Sequence, residues 1–348
     1  MLRSDGCKKV RPRQLLTGST AAPNDPLVSV VIPTYNRRDL LAEAMESVRQ
    51  QTISKWELIV VDDGSTDGTW VWLCEQEDVR LRTLHLHANS GRNTARNSGL
   101  AEAVSPFVFF LDDDDLLVPS ALNKMLDSLM HNPSCVAAIA GREYFGEWSG
   151  KTSWPKRSMV RNVFWDAFFG LALGGADILY RKAPLRAVGG LPEGIELRED
   201  WVGGLRVARQ GNFAIIPDRL VLKRMREDQR WSEPDCERTM QIFRQDAERW
   251  FDGKDRRRLD HALVALNQLR GVQNLPAGTP FHVICGRLML AIATFPPLLK
   301  ATLFWRLVGP GIVKSTLPPR VRNAIRRGRT LLNSKDGKSS VKVFRGPK

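Results

Sequence analysis

The chain has 348 residues, of which 43% are hydrophobic and 26% are charged, a composition that excludes a fully disordered protein. Its net charge of +14 is high and predicts an anionic partner, either membrane lipid or nucleic acid. The five cysteines are scattered without CxxC spacing, which excludes the usual zinc-binding motifs.

Apolar, β-branched runs alternate with helical patterns through the first part of the chain. Strands are predicted at 27–33, 56–61, 79–85 and 107–111. Helices are predicted at 40–51 with Asp39 as N-cap, at 69–76, from an opening at 89–93 to residue 103, and at 120–131. Strands that alternate with helices in this way indicate an α/β protein whose sheet is parallel or mostly parallel, with helices on both faces.

The pattern is looser after residue 131. Further strands are predicted at 135–144, 176–180 and 213–217. A loop of acids that enters a helix is predicted at 196–209, and long helices are predicted at 237–251 and 255–270. An apolar region, 281–313, then precedes a tail, 314–348, with eleven Lys or Arg and one acid. We therefore predict four parts: a disordered basic tail (1–26), a main α/β domain (27–235), a helical C-terminal region (236–313) and a basic, partly disordered tail (314–348).

Four adjacent aspartates, Asp112, Asp113, Asp114 and Asp115, directly follow the apolar run 107–111. In open α/β sheets, ligands bind outside the carboxyl ends of the strands, which is where these acids fall. Because the four carboxylates repel one another, we expect a divalent cation to compensate their charge, and carboxylate oxygens suit Mg²⁺ or Mn²⁺. The alternative is a solvated acidic turn.

Two further acid pairs extend the pattern. Asp62 and Asp63 follow the second predicted strand, and Glu199 and Asp200 lie at a predicted helix start. Carboxylates on separate loops of one sheet edge can converge on a pocket suited to a metal–diphosphate complex, with a further carboxylate as a base. A dinucleotide site needs GxGxxG directly after the first strand, where 33–36 read PTYN, and a GxxxxGK[ST] phosphate loop is absent as well.

Five segments in order carry a family resemblance. They are VSVVIPTYNRRDLL, WELIVVDDGSTDGT, SGRNTARNSGL, FLDDDDLLVP and GGLPEGIELREDWVGGLRVARQG, and they cover roughly residues 27–225. In these motifs the chain resembles family 2 glycosyltransferases of the bacterial, inverting type. The resemblance implies a GT-A nucleotide-diphospho-sugar transferase fold for the main domain, followed by a helical C-terminal region.

The resemblance also implies residues that bind the nucleotide. Pro33 and Tyr35, at the end of the first strand, would face the base. Asp63 would accept a hydrogen bond from uracil N3–H, and Arg96 would lie near the base or the diphosphate. From the residues alone, the alternatives are that Tyr35 is an ordinary loop aromatic and that Arg96 belongs to a helix-surface ion pair.

The acids take the remaining implied roles. Asp112 and Asp113 would lie near the ribose and the metal, and Asp114 would bind the Mn²⁺ or Mg²⁺ ion directly, with Asp112 as a second ligand. Which of the four aspartates binds the ion is left open by the sequence. Asp200 would be the general base, and Glu199 is the other catalytic candidate, although its charge could instead stabilise the N-terminus of the following helix.

The implied activity is a metal-dependent transfer of a sugar from a nucleotide-diphosphate donor, a UDP-sugar, to a hydroxyl of a growing cell-surface or extracellular glycan that is lipid-linked. The alternative is a non-catalytic GT-A-fold scaffold subunit of a glycan-assembly complex. The chain departs from the family at 222–226 (LKRMR), where many members have a His. The metal could therefore have fewer protein ligands, or Arg224 or Arg226 could contact phosphate.

The apolar region 281–313 has an uncharged stretch of only twelve residues, between Arg287 and Lys300, whereas a spanning helix needs about 20. We predict an amphipathic segment in the membrane interface, held by the basic tail on anionic lipid; the alternative is a helix pair packed on the catalytic domain. The location predicted is cytoplasmic, peripheral on the inner face of the cell membrane. Nucleic acid is not expected as a partner, since the tail has only Phe344 as an aromatic for stacking.

Overall fold

In the computed structural model of the chain, the described residues are 25–147, 149–151, 155–164, 177–195, 199–225, 233–250 and five positions between 257 and 264. The chain divides into two compact units, Met1–Trp250 and Phe251–Lys348, and every element named below belongs to the first. The predictions for the N-terminal tail up to residue 24, for most of the helix at 255–270, for the apolar region 281–313 and for the tail 314–348 lie outside the described residues.

The first unit alternates strands and helices, largely as the sequence predicts. The strands are β1 (Val28–Thr34), β2 (Trp56–Asp62), β3 (Leu81–His85), β4 (Phe107–Phe110), β5 (Leu116–Leu117), β6 (Cys135–Gly146), β7 (Gly150–Lys151), β8 (Met159–Arg161), β9 (Ile178–Arg181) and β10 (Asn212–Met225). The helices are α1 (Arg38–Arg49), α2 (Thr69–Cys74), α3 (Arg92–Glu102), α4 (Ala121–His131), α5 (Lys182–Ala187), α6 (Glu199–Ala208) and α7 (Glu233–Trp250).

Within the described ranges, the strands form one mixed sheet in the order β3-β2-β1-β4-β9-β6-β10-β5, with β7 beside β6 and β8 beside β10. Strands β3, β2, β1 and β4 are parallel, and so are β6 and β10. Strand β9 lies between β4 and β6 and is antiparallel to both. An antiparallel neighbour needs no helical crossover, and 145–165 show no helical period, so the reversal at β9 is compatible with the sequence.

Helices cover both faces of the sheet around β1. Val28, Val30 and Ile32 belong to one buried core with residues of α1 and α4. Side chains alternate along a strand, so Val31 faces the opposite side, where α3 packs. Gly99 of α3 comes so close that a β-carbon there would overlap Val31. The continuous apolar character of β1 follows from burial on two faces.

Two predicted boundaries are wrong. The N-cap of α1 is Arg37 rather than Asp39, which lies in the first turn of the helix. The chain turns early because Asn36 adopts a left-handed φ of 54°, which Asn tolerates better than most residues. Strand β10 does not end at Pro217 but continues to Met225, since its register against β6 shifts between Ile215 and Arg219 and places the proline in an irregularity that lacks ladder pairing.

Helix α7 is the last long element of the described chain. Trp201 of α6 packs on Phe243 of α7 with ring centroids 4.9 Å apart, and Arg206 Nε donates to Asp246 Oδ2 over 2.6 Å. Of all the helices in the described ranges, α7 included, none is long and apolar enough to cross a membrane.

Candidate active site

The carboxyl ends of β1, β2 and β4 meet at one edge of the sheet, because the three strands are parallel and in register. Thr34 pairs with Asp62 at the ends of β1 and β2, and the Asp63 N–H donates to the Thr34 carbonyl over 2.8 Å. The acidic loop that follows β4 lies beside them, since the Thr34 hydroxyl donates to Asp113 Oδ2 over 2.9 Å. The two predicted acid clusters therefore converge, as expected from parallel strands.

Asp63 organises the loop that precedes α3. Its two carboxylate oxygens accept the backbone N–H groups of Ser90 and Gly91 over 2.8 and 2.9 Å. Burial raises the pKa of Asp63, and these two hydrogen bonds oppose the rise. A carboxylate offers about four lone-pair sites, so Asp63 keeps acceptor capacity towards a ligand.

Pro33 and Tyr35 lie at the end of β1 in different surroundings. Pro33 is buried within the strand and pairs with Val61, whereas Tyr35 follows the strand and is 40% exposed. An exposed aromatic ring directly after β1 offers a surface on which a nucleotide base can stack. The roles predicted for both residues remain predictions.

The four consecutive aspartates are not equivalent. Carboxylate oxygens of Asp112, Asp114 and Asp115 lie within 4.8 Å of one another, and we call these three residues the acid cluster. Asp113 instead points to β1 and α1, where it binds Thr34 and the guanidinium of Arg37, the latter over 3.1 Å. The ligands predicted for a metal, Asp112 and Asp114, thus belong to one group, and the structure adds Asp115.

Cationic side chains of the chain itself surround these acids. Arg37 lies 3.4 Å from Asp114, and Arg96 forms an ion pair with Asp112. Lys223 Nζ lies 3.1 Å from Asp115 and 3.4 Å from Asp112. The mutual repulsion of the aspartates is therefore offset within the protein, so the repulsion by itself does not require a metal ion.

The charges also set the ionisation of Asp112. Its burial disfavours the carboxylate, but the charges of Arg96 and Lys223 outweigh that effect and hold the pKa of Asp112 well below its usual range. An ionised, partly accessible carboxylate is the form that binds a hard cation. The acid cluster offers only oxygen donors at short separations, so its chemistry fits Mg²⁺ or Mn²⁺.

Arg96 lies beneath this edge rather than on the surface of α3. It is 3% exposed and donates to Asn93 Oδ1 over 3.1 Å in addition to its ion pair with Asp112. The helix-surface alternative for Arg96 is therefore wrong. Its contacts show that it orients Asp112, and its predicted place near the base or diphosphate stays a prediction.

Asp200 lies in the first turn of α6, and its Oδ1 accepts the N–H of Trp201 over 2.7 Å. Its charge acts on the buried Tyr180, whose pKa is raised chiefly by burial and further by Asp200, while Arg96 opposes the rise. Asp200 and Arg96 therefore both lie near enough to this ring to affect its pKa. Glu199 begins α6, and its side chain lies outside the described residues.

The loop before α6 is anchored by α3, a link that sequence reasoning missed. Asn93 donates to the Pro192 carbonyl, and Asn97 exchanges two hydrogen bonds of 2.9 Å with the backbone of Leu191. Gly190 has a φ of 75°, and a β-carbon there would lie 2.6 Å from Asn97 Oδ1. Gly190 therefore allows α3 to approach the loop that precedes α6.

Sequence reasoning also missed Arg37 and Lys223 as members of the site. Both follow the pattern that marked the acids, since each lies at a strand end or helix start on the ligand-binding edge. The sequence does not show which acid each of these bases contacts, because Lys223 and Asp115 are 108 positions apart in the chain.

We expect Asp113 to make the stability of the fold depend on pH. Burial raises the pKa of Asp113 to about 6 against the charge of Arg37, and the side chain is 7% exposed. The folded state then holds a proton that the unfolded chain releases above about pH 4, so this contribution stabilises at low pH and is lost as the pH rises through about 6. The loss is at most about 3 kcal/mol.

Urea denaturation of the wild type and of Asp113→Asn, at about pH 5 and about pH 8, measures this effect. The free energy of unfolding of the variant is expected to fall less between the two values. Equal losses in both proteins would show that the carboxyl of Asp113 is not protonated in the fold.

The comparisons with known proteins agree with this geometry. Residues 29–189 match the model described as glycosyl transferase family 2. TuaG of Bacillus subtilis, named for teichuronic acid biosynthesis, is 42% identical over 118 residues, which are 33% of this chain and 46% of TuaG. The UDP-Glc:alpha-D-GlcNAc-diphosphoundecaprenol beta-1,3-glucosyltransferase WfgD of Escherichia coli is 35% identical over 109 residues, 31% of this chain and 43% of WfgD. The chain thus spans less than half the length of these relatives.

A solved structure supports the fold over a longer range. The crystal structure of S. aureus TarS 1-349 in complex with UDP-GlcNAc has a TM-score of 0.59 with this chain and covers 87% of each chain at 19% identity. At that identity the likeness concerns the fold alone, and it confirms the predicted GT-A fold.

Proposed function

Since residues 29–189 match the model of glycosyl transferase family 2, we propose that the chain moves a sugar from a nucleotide-diphosphate donor to an acceptor hydroxyl, with inversion and with a divalent metal. The observation that carries the proposal is the convergence of Asp63 and the acid cluster at one edge of the sheet. This edge would offer a hydrogen-bond acceptor for the base at the end of β2 and a cation site for the diphosphate at the end of β4, with β1 between the two strands.

The donor proposed is a UDP-sugar. Asp63 keeps lone pairs that can accept uracil N3–H, and the exposed ring of Tyr35 lies one residue beyond β1. The names of two similar proteins support this choice, since TarS was crystallised with UDP-GlcNAc and WfgD is named for UDP-Glc. Which sugar this chain accepts depends on residues between 145 and 180, only some of which are described.

The acid cluster would hold Mn²⁺ or Mg²⁺, with Asp114 and Asp112 as ligands. Such an ion neutralises charge that develops on the departing diphosphate, as a Lewis acid. The acceptor hydroxyl is a poor nucleophile at neutral pH, so Asp200 would take its proton as the hydroxyl attacks the anomeric carbon. Attack opposite the departing diphosphate inverts that carbon, as in other single displacements at a sugar.

A non-catalytic scaffold subunit with the same fold is the alternative. A screen of UDP-, GDP- and dTDP-sugars by thermal shift with Mn²⁺, followed by a measurement of nucleotide release from the sugars that bind, separates the two. We expect a UDP-sugar to raise the melting temperature and to be turned over slowly by water or by an acceptor. If a UDP-sugar binds but UDP is released neither by hydrolysis nor in the presence of lipid-linked acceptors, the result would favour the scaffold.

A lipid-linked glycan is the acceptor class we propose. The E. coli relative is named for an acceptor on diphosphoundecaprenol, which is a lipid-linked glycan. The basic residues of 314–348 would hold this chain on anionic lipid at the cytoplasmic face, and the apolar region 281–313 would lie in the interface.

We expect the protein to pellet with vesicles that contain anionic lipid at low salt and to be partly released at high salt. Each basic residue near the surface contributes up to about 1 kcal/mol, and salt screens that attraction. A chain truncated after residue 280 should lose vesicle binding and keep UDP-sugar binding. Pelleting by the truncated chain, or none by the full chain, would contradict the membrane proposal.

A further inference from the structure

Lys223 places its ammonium inside the acid cluster. Strand β10 positions this side chain, because Val221 and Leu222 pair with the two residues of β5, which directly follow the aspartates. Lys223 Nζ lies 3.1 Å from Asp115 Oδ2 and 3.4 Å from Asp112 Oδ2, and its side chain is 25% exposed. A positive charge of the chain therefore contacts two of the three carboxylates that could hold a metal ion.

Asp112 is the carboxylate for which a metal ion and the protein's own cations would compete. Its Oδ1 is paired with Arg96, and its Oδ2 with Lys223. Arg96 is buried and also bound to Asn93, so it cannot move far. Lys223 contacts Asp112 at a longer distance, and its side chain is 25% exposed against 3% for Arg96, so Lys223 is the cation that can move away from Asp112.

The second anchor of Lys223 explains why it stays near the cluster. Asp115 is fully buried, and its other oxygen, Oδ1, accepts the backbone N–H of Arg224 over 2.9 Å. The ammonium can therefore release Asp112 while it remains paired with Asp115. A metal ion bound to the acid cluster and the ammonium of Lys223 would repel each other strongly, because water screens their charges only partly at this site.

We propose that Lys223 weakens binding of a free divalent ion to the acid cluster, so that the ion binds well only together with the diphosphate of the donor. The diphosphate adds negative charge that offsets the ammonium, and this couples ion binding to nucleotide binding. The inference rests on the metal site of the proposed function. It assigns to Lys223 the role of a positioning residue that decides when the metal is taken up.

Calorimetric titration of Mn²⁺, with and without UDP, tests the inference without any turnover. Lys223→Gln, which removes the charge but keeps a hydrogen-bond donor on a side chain one bond shorter, is expected to bind Mn²⁺ alone at least about tenfold more tightly than the wild type. Lys223→Arg, which keeps the charge, is expected to resemble the wild type. The matched control is Lys124→Gln, which removes a lysine paired with Asp218 at 2.6 Å at the surface of the same domain. UDP should strengthen Mn²⁺ binding much more in the wild type than in Lys223→Gln.

A second pair of variants allows the same measurement if Lys223→Gln alone does not fold. If loss of the ammonium beside buried Asp115 unfolds the single variant, Lys223→Gln is made in the Asp115→Asn background, where no unpaired carboxylate remains. Tighter Mn²⁺ binding by the double variant than by Asp115→Asn supports the inference. Equal or weaker Mn²⁺ binding after removal of the lysine, in either background, overturns it. Failure of the proposed function is a separate result, namely no release of UDP from any sugar donor.

Discussion

Asp114→Asn is expected to lower the rate of sugar transfer on the order of 10³-fold, because a Lewis-acid metal stabilises the developing charge by several kcal/mol. Asp114 belongs to the acid cluster and lies 3.4 Å from Arg37, so its carboxylate is already held at the edge where the diphosphate would bind. Asn keeps the shape of the side chain and an oxygen that can accept a hydrogen bond from Arg37, so we expect the fold to be retained. The melting temperature should therefore stay near that of the wild type.

The readouts are turnover of the UDP-sugar and Mn²⁺ binding in the presence of UDP. Asp114→Asn should lose both, whereas Asp113→Asn, whose carboxylate points to Thr34 and Arg37 instead, should retain Mn²⁺ binding. Asp218→Asn, at the surface of β10, serves as the control for loss of an acid. Wild-type turnover that persists in excess chelator would rule out a metal role for the cluster.

Asp200→Asn is expected to lower kcat at least about 10²-fold, the usual size of a general-base contribution. The carboxylate lies in the first turn of α6 and is proposed to act on the acceptor hydroxyl rather than on the nucleotide, so binding of UDP should barely change. Asn retains an oxygen that can accept the Trp201 N–H, so the start of the helix is preserved. A fall in kcat with unchanged UDP affinity indicates a role in the chemical step rather than in donor binding.

Glu199→Gln is the matched control, since it removes the neighbouring carboxylate from the same helix start. Near-normal turnover by Asp200→Asn together with a large loss in Glu199→Gln would move the base to Glu199. Normal turnover in both variants would mean that neither acid takes the acceptor proton.

The outline of the parallel half of the sheet follows from the sequence because strands buried on two faces consist of continuous apolar runs. Strands β1, β2 and β4 were predicted within two residues of their ends for this reason. Local chemistry also determined that acids would lie at the ends of β2 and β4. The direction of β9 and the passage of β10 through Pro217 were not predictable, since both depend on which strands lie alongside.

By itself the sequence determined the fold class, the edge at which a ligand is predicted to bind and the residues proposed for a nucleotide and metal site, because hydrophobic period and strand-end chemistry are local properties. Only the tertiary structure decided which of those residues contact one another. It separated Asp113 from the acid cluster and brought Arg37, Arg96 and Lys223 to the aspartates from three other elements. These pairings join positions far apart in the chain, and no local pattern specifies which of many basic residues will meet a given acid once the sheet has formed.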